Sequence, residues 1–378
     1  MRVLQVIPAI AARYGGPSQL VMDLARTLSR SGIECDLVTT RADGAELLNV
    51  SVGKWLDYQG VRCLFFDKTC SERYKYSRGM SSWLKTNAVN YDLVHIHAVF
   101  SHSTLAAGRA CLASGVPYVI RPLGSLDPWS LGRNVTIKKL AFSLGLDRVL
   151  RNANAIQYTS DLEMQASQSA TGYGNGQVVP NGVTLASKSC ADVSLNREIV
   201  YVGRIASKKM LPDLLQAFLV AKARPKMADV KLVIAGSGDN ELEKRLRSMA
   251  GESGFGHDVT FPGWLEEEAR SHLFGRAAVV VLVSENENYG IAVVEAMAAS
   301  RPVLVNHGVY LYPDIERAEA GWVLQDDETL ADCLETVMED ASGRCYRGKN
   351  ARKLVENHYA WEAVGPKMIA LYRRVLGQ

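Results

Sequence analysis

Short apolar runs of strand length alternate with helix-period segments along the chain, and the alternation restarts at Ile199-Val200-Tyr201-Val202. In the first pass the runs are Val3–Ile7, Asp36–Val38, Leu93–Ile96 and Pro117–Ile120. Between the first two, Leu20, Val21, Leu24, Ala25 and Leu28 share one helix face; another helix is expected from about Ser103. In the second pass the runs are Leu232–Ile234, Val259–Phe261 and Ala278–Val283, with helices from Leu211, Asn240 and Ala292. Near-continuous apolar strands alternating with helices imply parallel sheets covered on both faces. The fold expected is therefore α/β, with two doubly wound Rossmann-like domains facing each other across a cleft. A length of 378 residues agrees, at roughly 150 per domain. The expected domains are residues 1–185 and 186–360, joined by a linker across Asn181–Asn196. A closing amphipathic helix, within residues 361–378, is expected to pack back on the first domain.

Composition removes other classes. A chain 47% apolar and 22% charged is neither disordered nor collagen-like. No apolar run approaches ~18 residues, so no spanning helix is expected. The net charge of +3 does not point to nucleic acid. The seven cysteines, at 35, 63, 70, 111, 190, 333 and 345, are scattered and include no C-x-x-C pair. This argues against a disulfide framework and a zinc site, with Cys35 and Cys111 as small core fillers. Met1–Pro8 reads as a first strand rather than a signal peptide, and a cytoplasmic location is expected.

The chemistry-bearing residues fall in turns after strands. Ser284-Glu285-Asn286-Glu287-Asn288-Tyr289-Gly290 leads from a strand into a helix. Backbone N–H groups at a helix start suit anionic oxygens, and Gly290 permits close approach. Glu295 follows about one turn inside that helix. Gly203-Arg204-Ile205-Ala206-Ser207-Lys208-Lys209 follows another strand, and its cations suit a diphosphate. Tyr14-Gly15-Gly16-Pro17 opens the first helix. Gly236-Ser237-Gly238-Asp239-Asn240-Glu241 lacks the third glycine of the nicotinamide fingerprint. His95-Ile96-His97 ends a strand. We expect its imidazoles on opposite sides, one supporting the core and His97 facing the ligand. His102 lies nearby, and Arg121-Pro122-Leu123-Gly124-Ser125-Leu126-Asp127-Pro128-Trp129 forms a loop suited to a small molecule.

In this order the motifs resemble the GT4 family of retaining, nucleotide-sugar-dependent glycosyltransferases of GT-B fold, particularly those building surface polysaccharides. The family's Glu-x7-Glu signature matches Glu287 and Glu295, and its Arg and Lys five residues apart match Arg204 and Lys209. Its Gly-Gly turn matches Gly15 and Gly16, its active-site histidine matches His97, and its linker motif matches Pro180-Asn181-Gly182-Val183. Met210 stands where a glycine is usual, Thr184 where an aspartate is usual, and Tyr289 where a phenylalanine is usual.

The resemblance implies a catalytic set of His97, Glu287, Arg204 and Lys209. It places Gly15, Gly16, Arg204, Lys209, Gly236, Trp264, Leu265, Asn288, Tyr289, Gly290, Ile291 and Glu295 at the donor, with Glu295 on the ribose. His102, Arg121, Ser125 and Asp127 are acceptor-side candidates. No metal or other cofactor is implied, because Arg204 and Lys209 neutralise the diphosphate. The implied reaction moves a hexose, from a UDP-sugar in preference to a GDP-sugar, to a glycan or lipid-linked sugar. The alternatives are a sugar-nucleotide 2-epimerase of the same fold and a non-catalytic two-lobed sugar-binding protein.

Charge divides along the same line. Residues 1–185 carry 19 basic and 13 acidic side chains, and the densest basic stretch includes Arg133, Lys138, Lys139, Arg148 and Arg151. A basic acceptor-side domain suits an anionic membrane surface; a solvated helix face is the alternative.

Overall fold

A computed structural model describes residues 1–69, 72, 74–185 and 193–378. Cys70, Cys190 and residues 186–192 of the expected linker lie outside the described residues. The chain divides into two units, residues 1–182 with 361–378, and residues 183–360.

The first unit holds an eight-stranded sheet and a small hairpin. Its strands are β1 (Arg2–Ala9), β2 (Glu34–Thr40), β5 (Trp55–Tyr58), β6 (Val61–Phe66), β7 (Leu93–His97), β8 (Tyr118–Arg121), β9 (Ala155–Tyr158) and β10 (Gly176–Val178). The hairpin pairs β3 (Ala42–Asp43) with β4 (Glu46–Leu47). The sheet order is β10-β9-β8-β7-β1-β2-β6-β5. β1 pairs in parallel with both β2 and β7, so the strand order reverses direction between β1 and β7. Such a switch point opens a crevice beyond the carboxyl ends of the strands.

One strand departs from the all-parallel expectation. β5 runs antiparallel to β6, with Tyr58 opposite Val61. The two residues between them, Gln59 and Gly60, have φ of 53° and 77°. Two successive positive φ values make the tight turn whose twist suits an antiparallel hairpin. The signal was the Gln-Gly pair between two short apolar runs.

The helix Trp361–Val375 belongs to this unit, where Val364, Met368, Leu371 and Tyr372 are buried. Its N-terminal Trp361 explains Gly182, because a Cβ there would sit 2.2 Å from the indole. Cys35 and Cys111 are both buried.

The second unit holds β11 (Glu198–Val202), β12 (Lys231–Ala235), β13 (Val259–Gly263), β14 (Ala277–Leu282), β15 (Val303–Asn306) and β16 (Gly321–Leu324). All pair in parallel, in the order β13-β12-β11-β14-β15-β16. Ala277–Leu282 is buried along its whole length, as a strand with helices on both faces must be. This sheet reverses between β11 and β14, which puts the turns after those two strands side by side.

Candidate active site

The site in the second unit is built where β11 and β14 end. After β11 the chain makes a single 3-10 turn, Ser207–Lys209, before the helix Leu211–Lys222. After β14 a polar turn leads into the helix Ile291–Ala298. Backbone contacts staple the two turns together. The Lys208 carbonyl accepts from the Glu285 N–H at 2.9 Å and from Ser284 Oγ at 2.8 Å. A third segment forms the floor. The Gly308 carbonyl accepts from the Glu287 N–H at 2.7 Å, and the Tyr310 N–H donates back to the Glu287 carbonyl at 2.9 Å. Asn306 closes the frame, its amide bonding both the N–H and the carbonyl of Ser284.

This frame sets Lys209 against Glu287. The ammonium donates to Glu287 Oε2, and the two side chains are only 11% and 16% exposed. Glu287 Oε1 accepts from the Gly290 N–H at 3.1 Å, so the same carboxylate also fixes the turn that leads into the following helix. That amide, expected to be available to a ligand, is thus engaged by Glu287. Burial pushes the Glu287 carboxyl upward, but Lys209, Lys208 and the Gly290 hydrogen bond outweigh it and hold it below its usual range. The carboxylate therefore stays ionised, and the pair is a pre-aligned charge arrangement with little solvent screening.

Arg204 lies exposed on the same loop. Its carbonyl is held by the Tyr201 hydroxyl at 2.9 Å, a positioning role that the strand pattern of Ile199–Val202 hides. Glu295 sits one turn into the helix Ile291–Ala298, in a two-pronged ion pair with Arg270 at 3.1 Å. Arg270 carried no sequence signal; it lies on the helix Glu267–Arg276, whose position only the fold supplies.

The glycines mark where backbone meets backbone. A Cβ on Gly236, at φ 143°, would lie 1.8 Å from the Gly203 carbonyl oxygen, and its N–H donates to the Gly263 carbonyl at 2.8 Å. Gly236 thus lets the ends of β11, β12 and β13 converge. Trp264 and Leu265 follow β13 directly, with the indole half exposed. Met210 has φ 44°, the left-handed region where a glycine would be unstrained. Tyr289 is buried, its ring edge-on to Tyr359.

In the first unit the expected disposition of His95 and His97 is wrong. Residues two apart on a strand share a face, and the two imidazoles stack at 4.2 Å. His97 is buried, with Nε2 2.7 Å from Gln5 Oε1. His95 Nδ1 lies 2.7 Å from the Tyr372 hydroxyl, to which Gln5 Nε2 also donates at 3.3 Å. Tyr372 on the closing helix therefore orients Gln5, and Gln5 in this orientation accepts from His97 Nε2, leaving Nδ1 as an acceptor. Burial, then the neighbouring His95 and Arg121, lower the His97 pKa well below its ordinary value, so the ring is neutral.

Gly15 caps the first helix at φ 75°, with Gly16 as its first residue. Nothing lies within 4 Å of a Cβ on Gly15, so backbone conformation alone demands glycine there. The acceptor-side candidates are largely committed to local structure. His102 is buried, accepting from the Ser77 N–H at 3.2 Å and lying 3.0 Å from Ser81 Oγ. Arg121 is buried and donates to Asn181. Ser125 Oγ donates to the Pro122 carbonyl, and buried Asp127 caps a short helix through the Trp129 N–H at 2.9 Å. Among the described residues, no group of three His, Cys, Asp or Glu side chains is placed to hold a metal ion.

Comparison with known proteins adds two family models. "Glycosyltransferase Family 4" matches residues 14–187 and "Glycosyl transferases group 1" matches residues 193–354. A glycosyltransferase of Methanocaldococcus jannaschii is 32% identical over 180 residues, covering 46% of this chain and 44% of that protein. The alpha-D-kanosaminyltransferase of Streptomyces kanamyceticus matches over 47% of this chain and 45% of its own length, at 28% identity. The matched stretch thus spans less than half of those two relatives. The D-inositol 3-phosphate glycosyltransferase of Corynebacterium glutamicum is 23% identical, covering 95% of this chain and 91% of its own. Among solved structures, sucrose-phosphate synthase of Thermosynechococcus elongatus aligns with TM-score 0.81 at 20% identity, covering 100% of this chain and 99% of that one. Anabaena HepE in complex with UDP-glucose aligns with TM-score 0.76 at 18% identity, covering 99% and 100%.

Proposed function

The chain belongs to the family 4 glycosyltransferases and has the GT-B fold; from that premise we propose that it transfers a hexose, with retention, from a nucleotide diphosphate sugar. The acceptor is a hydroxyl of a glycan or lipid-linked sugar, in polysaccharide synthesis at the cytoplasmic face of a membrane. The observation that carries this reading is the buried Lys209–Glu287 pair at the β11–β14 switch point, with Arg204 exposed beside it. UDP-sugar is the favoured donor, and the complex of HepE with UDP-glucose supports that choice.

In this mechanism Arg204 and Lys209 neutralise the diphosphate as it leaves, so no metal is required. Glu287 holds the donor hexose, and Glu295 takes the ribose hydroxyls, with Arg270 fixing its orientation. The bond from the anomeric carbon to the diphosphate breaks through an oxocarbenium-like state, the acceptor oxygen bonds that carbon on the same face, and the leaving phosphate takes the acceptor proton. The protein's contribution is then positioning and electrostatic stabilisation. His97 contributes a neutral hydrogen-bonding group rather than a proton donor, consistent with its lowered pKa. Retaining glycosidases instead form a covalent carboxylate adduct.

Isothermal titration with UDP-glucose tests the donor site. A charge-assisted hydrogen bond contributes about 1.5–3 kcal/mol, so Arg204→Ala weakens binding about tenfold or more. Unchanged affinity and turnover would overturn the assignment. Incubation with donor alone separates transfer from epimerisation, since an epimerase interconverts the donor sugar. A trapped glycosyl adduct on Glu287 would rule out the same-face route.

A further inference from the structure

We propose that residues 133–151 of the first unit form an interfacial docking face for a bilayer rich in anionic lipid headgroups. The segment runs through the helix Val135–Ala141, a wide turn Phe142–Leu146 and the helix Asp147–Arg151. Its inner side is anchored. Leu146, Val149 and Leu150 are buried, and Phe142 packs edge-on against Phe100 at 5.6 Å. The turn is held open by Gly145, at φ 106°, and by Arg109, which donates to the Leu144 carbonyl at 2.7 Å.

The outer side carries four aliphatic side chains in water. Val135, Ile137, Leu140 and Leu144 are 41%, 60%, 57% and 56% exposed. They are four of the thirteen exposed large apolar side chains among the described residues, concentrated in ten residues of chain. Ile137, Leu140 and Leu144 fall at i, i+3 and i+7, one stripe of a helix. Such an apolar cluster is normally covered.

Charge selects the partner. Arg133, Lys139, Arg148 and Arg151, in and beside the same segment, are exposed. The one carboxylate in this stretch, Asp147, is tied to Arg151 at 2.8 Å and to the Tyr173 hydroxyl at 2.9 Å. Exposed aliphatic side chains and cations on one short segment suit the headgroup–acyl boundary, into which such a face sinks by about 5–10 Å. A protein-binding core would be enriched in aromatic anchors, and this stripe has none. No described helix is long and apolar enough to span the membrane. The inference deepens the reading of the first domain as the acceptor side, because it brings that domain to lipid-borne substrates. Vesicle binding is read without donor or acceptor, so the proposal stands or falls independently of the transfer reaction.

The test is co-sedimentation of the full chain with vesicles of phosphatidylcholine, alone or with phosphatidylglycerol. The anionic vesicles are expected to bind at least about tenfold more tightly, with binding weakened by salt. The double variant Ile137→Glu, Leu140→Glu is expected to lose about tenfold or more of that binding. Its melting midpoint and UDP-glucose affinity stay unchanged, because both side chains face water. Absence of binding to anionic vesicles overturns the proposal. So does undiminished binding by the double variant, or equal binding to both vesicle types. Concentration-dependent self-association that the double variant abolishes, without vesicle binding, would assign the stripe to a second copy of the chain instead.

Discussion

Replacing Lys209 by methionine keeps the length of the side chain and removes its charge. In the wild type the pair is about nine-tenths shielded on the lysine side. Glu287 would then remain buried with only Lys208 and the Gly290 N–H to favour its charged form. Removing one member of a buried pair costs about 3–5 kcal/mol, mostly as the penalty of the stranded charge. The pH dependence distinguishes this from simple loss of packing. In the wild type the folded-state pKa of Glu287 is depressed. Its stabilisation is therefore present above the unfolded value of about 4.3 and is lost as pH falls through the lower folded value. In Lys209→Met, burial raises the folded pKa instead. The penalty is absent below about 4.3, grows as pH rises to the folded value and is full above it. Hydrogen-exchange mass spectrometry of β14 amides, corrected for intrinsic exchange, reads the second unit separately. At pH 7.5 protection is expected to fall by about two to three orders of magnitude, and the deficit to shrink towards pH 5. A deficit that does not change with pH would refute the stranded-charge reasoning.

Met210→Gly relieves a left-handed conformation that costs about 1–3 kcal/mol for a side-chain-bearing residue. Glycine returns about 0.5–1 kcal/mol of that as unfolded-state entropy, so a net gain of about 1 kcal/mol is expected in urea unfolding; a loss would disprove the strain. Tyr372→Phe deprives buried His95 Nδ1 and Gln5 of their shared partner, at about 1–3 kcal/mol. If Gln5 sets the His97 tautomer, the variant lowers kcat while the donor KM holds; an unchanged kcat would make this network structural only.

Local sequence determined much of the architecture. The buried run Ala277–Leu282 and the stripe Leu211 to Phe218 declare strand and helix through burial period alone. The candidate site was legible because ligand-binding turns in such folds follow strands, so Arg204, Lys209, Glu287 and Glu295 could be singled out as candidates from spacing and family resemblance. The antiparallel β5 carried its own signal in Gln59-Gly60, a local turn that outweighs the parallel pattern around it. The faces of His95 and His97 were also fixed locally by the two-residue strand period, and the stacked rings make that plain.

Tertiary structure decided which of these groups meet. Nothing in the sequence pairs Lys209 with Glu287, 78 residues away, because that contact exists only where β11 and β14 become neighbours. The same holds for Arg270 on Glu295 and for Tyr372, which reaches Gln5 across 367 residues of chain. Sequence carries propensity and period, which act over a few residues. Charge pairing and burial act through space, and sheet order decides which distant residues share that space.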